Sequence, residues 1–308
     1  MSKHLFGIVL TPFGTAANNR GETEGNITTI QKLLWKGEVH TTVSAEAIRA
    51  AIRASWQAAG HPLNRTWDEE RRLHAWADPE FGEAGGPYVD DDVLGFMSAR
   101  AARAEGNEEP VEGGARGRAK RARGTTDVRR ARLEVTRAIS LKPWPGDYVF
   151  NAASPGATPS ASSTGRDPVP YGAEVHATRY QYGFALTPDA LFQRTRAALA
   201  LDAIAGLAEV AGNHARFLYD FSPASLVLRW TDDPAPRFLY AFDTSDGDVP
   251  SIPRLVRLVE SGDVTPDELW VGGEIAGAPD GHALGTLGAH LAASVKQTVV
   301  AVKQVMGV

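Results

Sequence analysis

The sequence predicts an α/β (α+β) protein of the ferredoxin-like, split βαβ kind, interrupted by a long insertion. Three observations lead there. With residues 61–110 set aside, the periodic segments run strand, helix, strand, strand, helix, strand. Composition is that of an ordinary globular chain, with 43% hydrophobic and 22% charged residues in 308. The 31 glycines and 19 prolines place long loops between the regular elements.

Residues 4–11 form a short apolar run closed by Pro12 and Gly14, the length and flanks of a buried strand. The polar segment that follows, TPFGTAANNRGETEGN, reads as a loop, because Gly14, Gly21 and Gly25 allow positive φ and Asn18 and Asn19 add exposed amides. Ser44 caps a helix over 44–56 with Glu46 in its first turn. Ile48 and Ile52 form its buried stripe, and Arg49 and Arg53 share another. Arginines one turn apart either follow an anionic backbone or dress a helix surface. Residues 61–110 keep no sustained period. Residues 132–141 alternate as a strand, with Leu133, Val135 and Ile139 on one face.

Residues 146–151 and 173–186 read as two strand arms, rich in β-branched and aromatic residues. Between them, 12 of the 17 residues at 154–170 are Ser, Thr, Pro or Gly, which suggests a long hairpin with a mobile tip. On the second arm Tyr180, Tyr182 and Phe184 share one side, either core or stacking platform, and Arg179 and Gln181 share the other. Thr187, Pro188 and Asp189 open a helix through 210. A strand pair at 217–220 and 226–230 follows, then a helix at 251–261, a strand at 268–274, a Gly-rich loop and a last helix over 289–306.

Charge is unevenly spread. The chain carries −5 overall, yet residues 116–137 hold nine basic residues (Arg116, Arg118, Lys120, Arg121, Arg123, Arg129, Arg130, Arg132, Arg137) against Asp127 and Glu134. Such a stretch is either a polyanion contact, driven by counterion release, or a solvated arginine-rich loop. The lack of cysteine excludes disulfides and thiolate chemistry and suits a reducing cytoplasm, the expected location. No run approaches 18 apolar residues, so no membrane is expected as a partner. Phosphate-binding glycine loops, nucleophile elbows and zinc helices are missing. Asp90, Asp91 and Asp92 are clustered acids of the kind that hold Mg²⁺, but adjacent acids more often cap a helix or face solvent. No metal and no cofactor is assigned. His176 reads as a polar strand histidine, with no neighbouring acid or nucleophile in sequence to set its tautomer.

The blocks LFGIVLTPFGTAANNRGE, VSAEAIRAAIR, YVDDDVLGFM, RLEVTRAISL and PYGAEVHATRYQYGFALTP together resemble the backbone subunit of the CRISPR Cascade surveillance complex, in its DevR autoregulator branch. They cover most of residues 1–200; the last third resembles the family only through LWVGGE. The resemblance implies an RNA-recognition-motif palm (1–60, 133–146 and, with the C-terminal region, 179–308), an inserted fingers region (61–132) and a β-hairpin thumb (147–178). It places RNA-backbone contacts on Asn18, Asn19, Arg20, Ser44, Arg49 and Arg53, sets Met97 beside the bases, and makes Phe150 the wedge that pries a base out. His176 and Arg179 of the HATRYQYGFAL block join the RNA-binding set, and Arg116, Arg118, Lys120, Arg121, Arg123, Arg129 and Arg130 become a nucleic-acid-facing stretch. Two features depart from the pattern: no two-aromatic RNP string occurs, and Ala45 follows Ser44 where relatives often carry a hydroxyl or amide.

The expected function is a non-catalytic scaffold that polymerises head to tail on CRISPR RNA and presents it to target DNA. Protein then reads the backbone while base pairing reads sequence. Implied partners are the CRISPR RNA, target DNA, further copies of this chain, and the large, small, guide 5′-end-capping and guide-processing subunits of Cascade. Two alternatives stand: a metal-dependent RNA-cleaving relative using Glu22 or Glu24, and a nucleic-acid-binding regulator outside defence.

Overall fold

The computed structural model describes residues 2–17, 23–68, 70–81, 86–99, 126–152, 171–210, 218–244 and 248–308. The chain opens with β1 (His4–Leu10), then β2 (Gly14–Ala17), β3 (Thr23–Glu24) and β4 (Ile27–Thr28). A hairpin of β5 (Lys32–Trp35) and β6 (Glu38–Val43) turns on Lys36 and Gly37, both at positive φ as a two-residue turn requires. Helix α1 (Ala45–Ala58) follows, capped by Ser44, whose side chain accepts from the Ala47 amide. The insertion holds a ribbon of β7 (Arg65–Asp68) and β8 (Leu73–Trp76), a short helix α2 (Val89–Val93), and a second ribbon of β9 (Phe96–Ala99) and β10 (Thr126–Arg129).

Next come β11 (Leu133–Val135), β12 (Ala138–Ser140), β13 (Tyr148–Asn151), β14 (Tyr171–Thr178), β15 (Tyr180–Leu186) and α3 (Arg196–Ala205). The chain ends with β16 (Ser225–Thr231), β17 (Asp243–Thr244), β18 (Pro250–Ser251), α4 (Pro253–Glu260), β19 (Leu269–Gly273), α5 (Pro279–Leu287), β20 (His290–Ala292) and α6 (Val295–Met306). Among the described residues no helix is long and apolar enough to cross a membrane.

A nine-stranded sheet in the order β20-β19-β16-β1-β15-β12-β6-β5, with β11 also on β15, carries the fold. Its four middle strands, β16-β1-β15-β12, pair antiparallel. Helix α1 lies in the connection from β1 to β12, and α3 in that from β15 to β16. Strand β1 is covered on both faces. Leu5 and Val9 enter a core with Ile48 and Ile52 of α1, Leu201 of α3 and Val302 of α6; Phe6, Ile8 and Leu10 enter a second core with Leu255 and Val259 of α4 and Leu284 of α5. Burial on both sides explains why 4–10 shows no polar alternation. Gly7 is required there, since a Cβ would meet the Phe184 ring at 2.3 Å. Strands β13 and β14 leave this sheet: β14 pairs with β13 and β2 antiparallel and with β4 parallel, in a five-stranded sheet that includes β3.

Several sequence expectations are corrected. The 11–26 loop contains β2 and β3. The 132–141 strand is two strands, because the register on β15 shifts by one between Val135↔Phe184 and Ile139↔Gln181. Such a bulge reverses the alternation, so Ala138, not Ile139, joins the core face of Leu133 and Val135. The second arm is also two strands, broken at Arg179, whose side chain is anchored elsewhere. Tyr180, Tyr182 and Phe184 are core residues rather than a platform. The helix expected from Pro188 begins at Arg196; Pro188 opens one 3₁₀ turn, and the amides of Phe192 and Gln193 are taken by the Asp92 carboxylate at 3.0 and 3.1 Å. Residues 218–220 form no strand, with Leu218 at positive φ. The Gly-rich loop is a 3₁₀ turn and α5, and the last helix starts at Val295, after β20.

Candidate nucleic-acid interface

Helix α1 presents two arginines one turn apart, and the structure adds a third. Arg49 and Arg53 leave the solvent side of α1, and Arg65 arrives from the start of β7; the Nε atoms of all three are buried without a hydrogen-bond partner. Asp90 is the nearest counter-charge, yet it already accepts the backbone amides of Asn64 and Arg65 at 2.9 and 3.1 Å and stands 3.7 Å from Arg53 Nε. Burial lowers the Arg53 pKa, Asp90 opposes that, and the charges of Arg65 and Arg49 lower it further. Half-buried cations that repel one another and lack full counter-charges are costly unless an anion completes them. Sequence reasoning missed Arg65, since an isolated arginine at the start of a strand has no periodic signal. Ser44 sits at the end of the same helix, its oxygen occupied by the Ala47 amide at 3.1 Å.

The hairpin arm β13 exposes aromatic surface. Phe150 is 67% exposed and packs edge-on against Tyr148, itself 50% exposed, at 5.1 Å between ring centroids. Alternation along the strand puts both on one side. At the base of the arm the Trp144 indole donates to Val175 O at 2.9 Å, and Lys32 Nζ lies over that indole while pairing with Glu174. Met97, 68% exposed, faces Val128 across the β9–β10 ribbon.

Other candidate residues lie inside the protein. His176 is 2% exposed and shares a 2.7 Å hydrogen bond with Thr41, which also bonds the Tyr180 hydroxyl. Burial, with His40 nearby, pushes the His176 imidazole down to about 4, so it is neutral. Arg179 is buried and ion-paired to Asp248 at 3.0 Å and Glu274 at 2.8 Å. Arg129 is neutralised by Asp92 and covers the Phe192 ring at 3.7 Å. All three, expected among the nucleic-acid-binding residues, are thus held by partners within the fold. Arg130 is exposed and pairs with Glu134. Asn18, Asn19, Arg20, Arg116, Arg118, Lys120, Arg121 and Arg123 lie outside the described residues, as does the 154–170 tip.

The three consecutive acids diverge around α2. Asp90 holds the entry to β7, Asp91 accepts from the Asn64 amide at 2.7 Å, and Asp92 binds Arg196 and Arg129 from the opposite side. Among the described residues no group of three His or acidic side chains is placed to hold a metal.

No family model matches the chain. It is 54% identical over 282 residues to "CRISPR-associated protein Cas7/Cst2/DevR" of Myxococcus xanthus (strain DK1622), covering 89% of this chain and 88% of that protein. In fold it is similar to a chain of a CRISPR RNA-guided surveillance complex, with a TM-score of 0.55 at 15% identity over 97% of this chain and 99% of that one. A chain of such a complex in a pre-nicking state gives a TM-score of 0.54 at 13% identity, covering 98% and 100%.

Proposed function

This chain belongs to the Cas7/Cst2/DevR family of CRISPR-associated proteins, and from that premise we propose that it is a non-catalytic backbone subunit of a type I Cascade surveillance complex. Copies stack head to tail along one CRISPR RNA in the cytoplasm and hold it for pairing with target DNA in antiviral defence. The large, small, guide-capping and guide-processing subunits are its other partners. Membership of the family carries this reading.

The geometry supports it in three places. The order β16-β1-β15-β12, with helices in the two crossovers, fits a palm of RNA-recognition-motif type. The insertion bearing α2 and its two ribbons fits fingers, and the β13–β14 hairpin with exposed Tyr148 and Phe150 fits a thumb whose wedge is aromatic. Arg49, Arg53 and Arg65 form the rail for the sugar-phosphate backbone, because their guanidinium groups are left without full counter-charge.

The test is nuclease footprinting of the RNA that copurifies with the complex. Evenly repeated protections are the expected result. A chain that neither copurifies with RNA nor protects it at regular intervals, even beside its companion subunits, would overturn the reading.

A further inference from the structure

Among Asp78, Phe81, the 86–88 residues, α2 and the β9–β10 ribbon lies a cavity of about 620 Å³ that the backbone role leaves unused. Its size is that of small-ligand sites, and its walls divide by chemistry. One side is aromatic: Phe81 stacks on Phe96 at 4.1 Å between centroids, is flanked edge-on by Trp76 at 4.9 Å, and is joined by Tyr88 and Phe192. The other side is cationic. Arg129, Arg132 and Arg196 line it, close enough that Arg132 and Arg196 both oppose the Arg129 charge.

The counter-charge within reach is spent. Asp92 accepts Arg129, Arg196 and two backbone amides. Among the described residues no carboxylate pairs with Arg132, and its Nε is buried without a hydrogen bond. Asp91 and Asp78 also line the cavity, and each already accepts a hydrogen bond, Asp91 from the Asn64 side-chain amide and Asp78 from the Glu80 backbone amide; burial pushes the Asp91 carboxyl up to about 6.

A second observation points the same way. Phe81 has φ 50, a left-handed conformation that is rare for a bulky side chain. Residues held in such strain cluster at ligand clamps. Here the stack between Trp76 and Phe96 holds Phe81, and the effect is to make its ring part of the cavity wall.

We propose that this cavity binds one nucleotide, the base lying among Phe81, Tyr88, Phe96 and Phe192 and the phosphate on Arg132. A plain anion makes no use of the aromatic wall, and a plain aromatic molecule leaves Arg132 unpaired; a base joined to a phosphate satisfies both. Two sources share that chemistry, a free nucleotide or one nucleotide unstacked from a bound strand, and the second rests on the RNA-binding reading above.

The experiment is isothermal titration of the RNA-free full-length chain with AMP, adenosine and inorganic phosphate at one ionic strength. AMP binds at least tenfold more tightly than either fragment. Arg132→Gln, which breaks no ion pair among the described residues, reduces AMP to the level of adenosine and leaves adenosine unchanged. Phe96→Leu weakens AMP and adenosine but not phosphate. Equal binding of AMP and phosphate, or undiminished AMP binding by Arg132→Gln, overturns the proposal.

Repeating the AMP titration with saturating single-stranded RNA separates the sources. Lost AMP binding means a strand nucleotide fills the cavity, and retained binding means a free one does. RNA affinity measured on the same sample keeps the two readings apart. RNA binding without AMP binding sinks the cavity alone, and AMP binding without RNA binding sinks the scaffold alone.

Discussion

Asp92 joins three parts of the chain through one carboxylate. It is 1% exposed at the side chain, receives Arg129 from β10 and Arg196 from α3, and takes the amides of Phe192 and Gln193 that open the turn before α3. Removing it strands two arginines and two amides, so Asp92→Ala is expected to lower unfolding free energy by about 3–5 kcal/mol in urea titration. A loss below about 1 kcal/mol would mean the arginines find other partners. His176 makes the opposite kind of prediction, one in pH. The folded protein keeps its imidazole neutral down to about 4, whereas the unfolded chain protonates it near the ordinary value of 6.5. Stability from this residue is therefore whole above pH 6.5 and is lost as pH falls toward 4, by on the order of 3 kcal/mol. Urea midpoints of the wild type should fall across that window more steeply than those of His176→Gln; parallel slopes would show that the ring is not buried neutral.

Elements show which features were legible in the sequence and which were not. Strand β1, helix α1 and the first hairpin arm were legible because each is set by its own periodicity and flanking residues, whereas the second arm was legible as strand but not in its break at Arg179. The break at Thr136 was not: the Gly183 amide donates to Thr136 Oγ1 at 2.9 Å across the sheet, and no local pattern announces such a bulge. The late start of α3 was hidden for the same reason, since Asp92, a hundred residues earlier, claims the amides that would have begun it. Of the candidate site, the Arg49 and Arg53 stripe was readable from spacing and Phe150 only through the family resemblance, while the burial of His176, Arg179 and Arg129 depended on partners distant in sequence. Gly95 between α2 and β9 shows how tightly the insertion is built. It has φ 68, and a Cβ would lie 2.3 Å from Arg129 O. Gly95→Ala should therefore destabilise the chain by about 2 kcal/mol or more in urea titration; a change within about 0.5 kcal/mol would mean the ribbon shifts freely. The arm behaves differently. Phe150→Ala removes an exposed ring, so stability should stay within about 0.5 kcal/mol, while RNA affinity falls by about 1–3 kcal/mol if the ring stacks on a base. Unchanged affinity and unchanged protection spacing would remove Phe150 from the interface.

At the scale of the whole molecule, an acidic protein is proposed to grip a polyanion, and local placement of charge has to resolve that conflict. Net charge is −5, so the average field repels RNA and binding must come from cations that the fold leaves unpaired. Several described arginines fail that condition: Arg129, Arg179, Arg196 and Arg229 are buried in ion pairs with Asp or Glu. Arg49 and Arg65 have no ion pair among the described residues, and Arg53 reaches Asp90 only at 3.7 Å. Each phosphate neutralised on a single strand contributes roughly −0.7 to the slope of log affinity against log salt concentration. If each of the three arginines holds one phosphate, replacing all of them with glutamine should flatten that slope by about 2 and weaken binding most at low salt. Arg194→Gln is the matched control, since it removes one positive charge already paired with Asp189 and should leave the slope unchanged. Fluorescence anisotropy of a single-stranded RNA across a salt series measures both. An unchanged slope in the triple variant would show that the backbone rail lies elsewhere on the molecule, and flattening by Arg194→Gln of about a third of the triple variant's would show that only total charge matters.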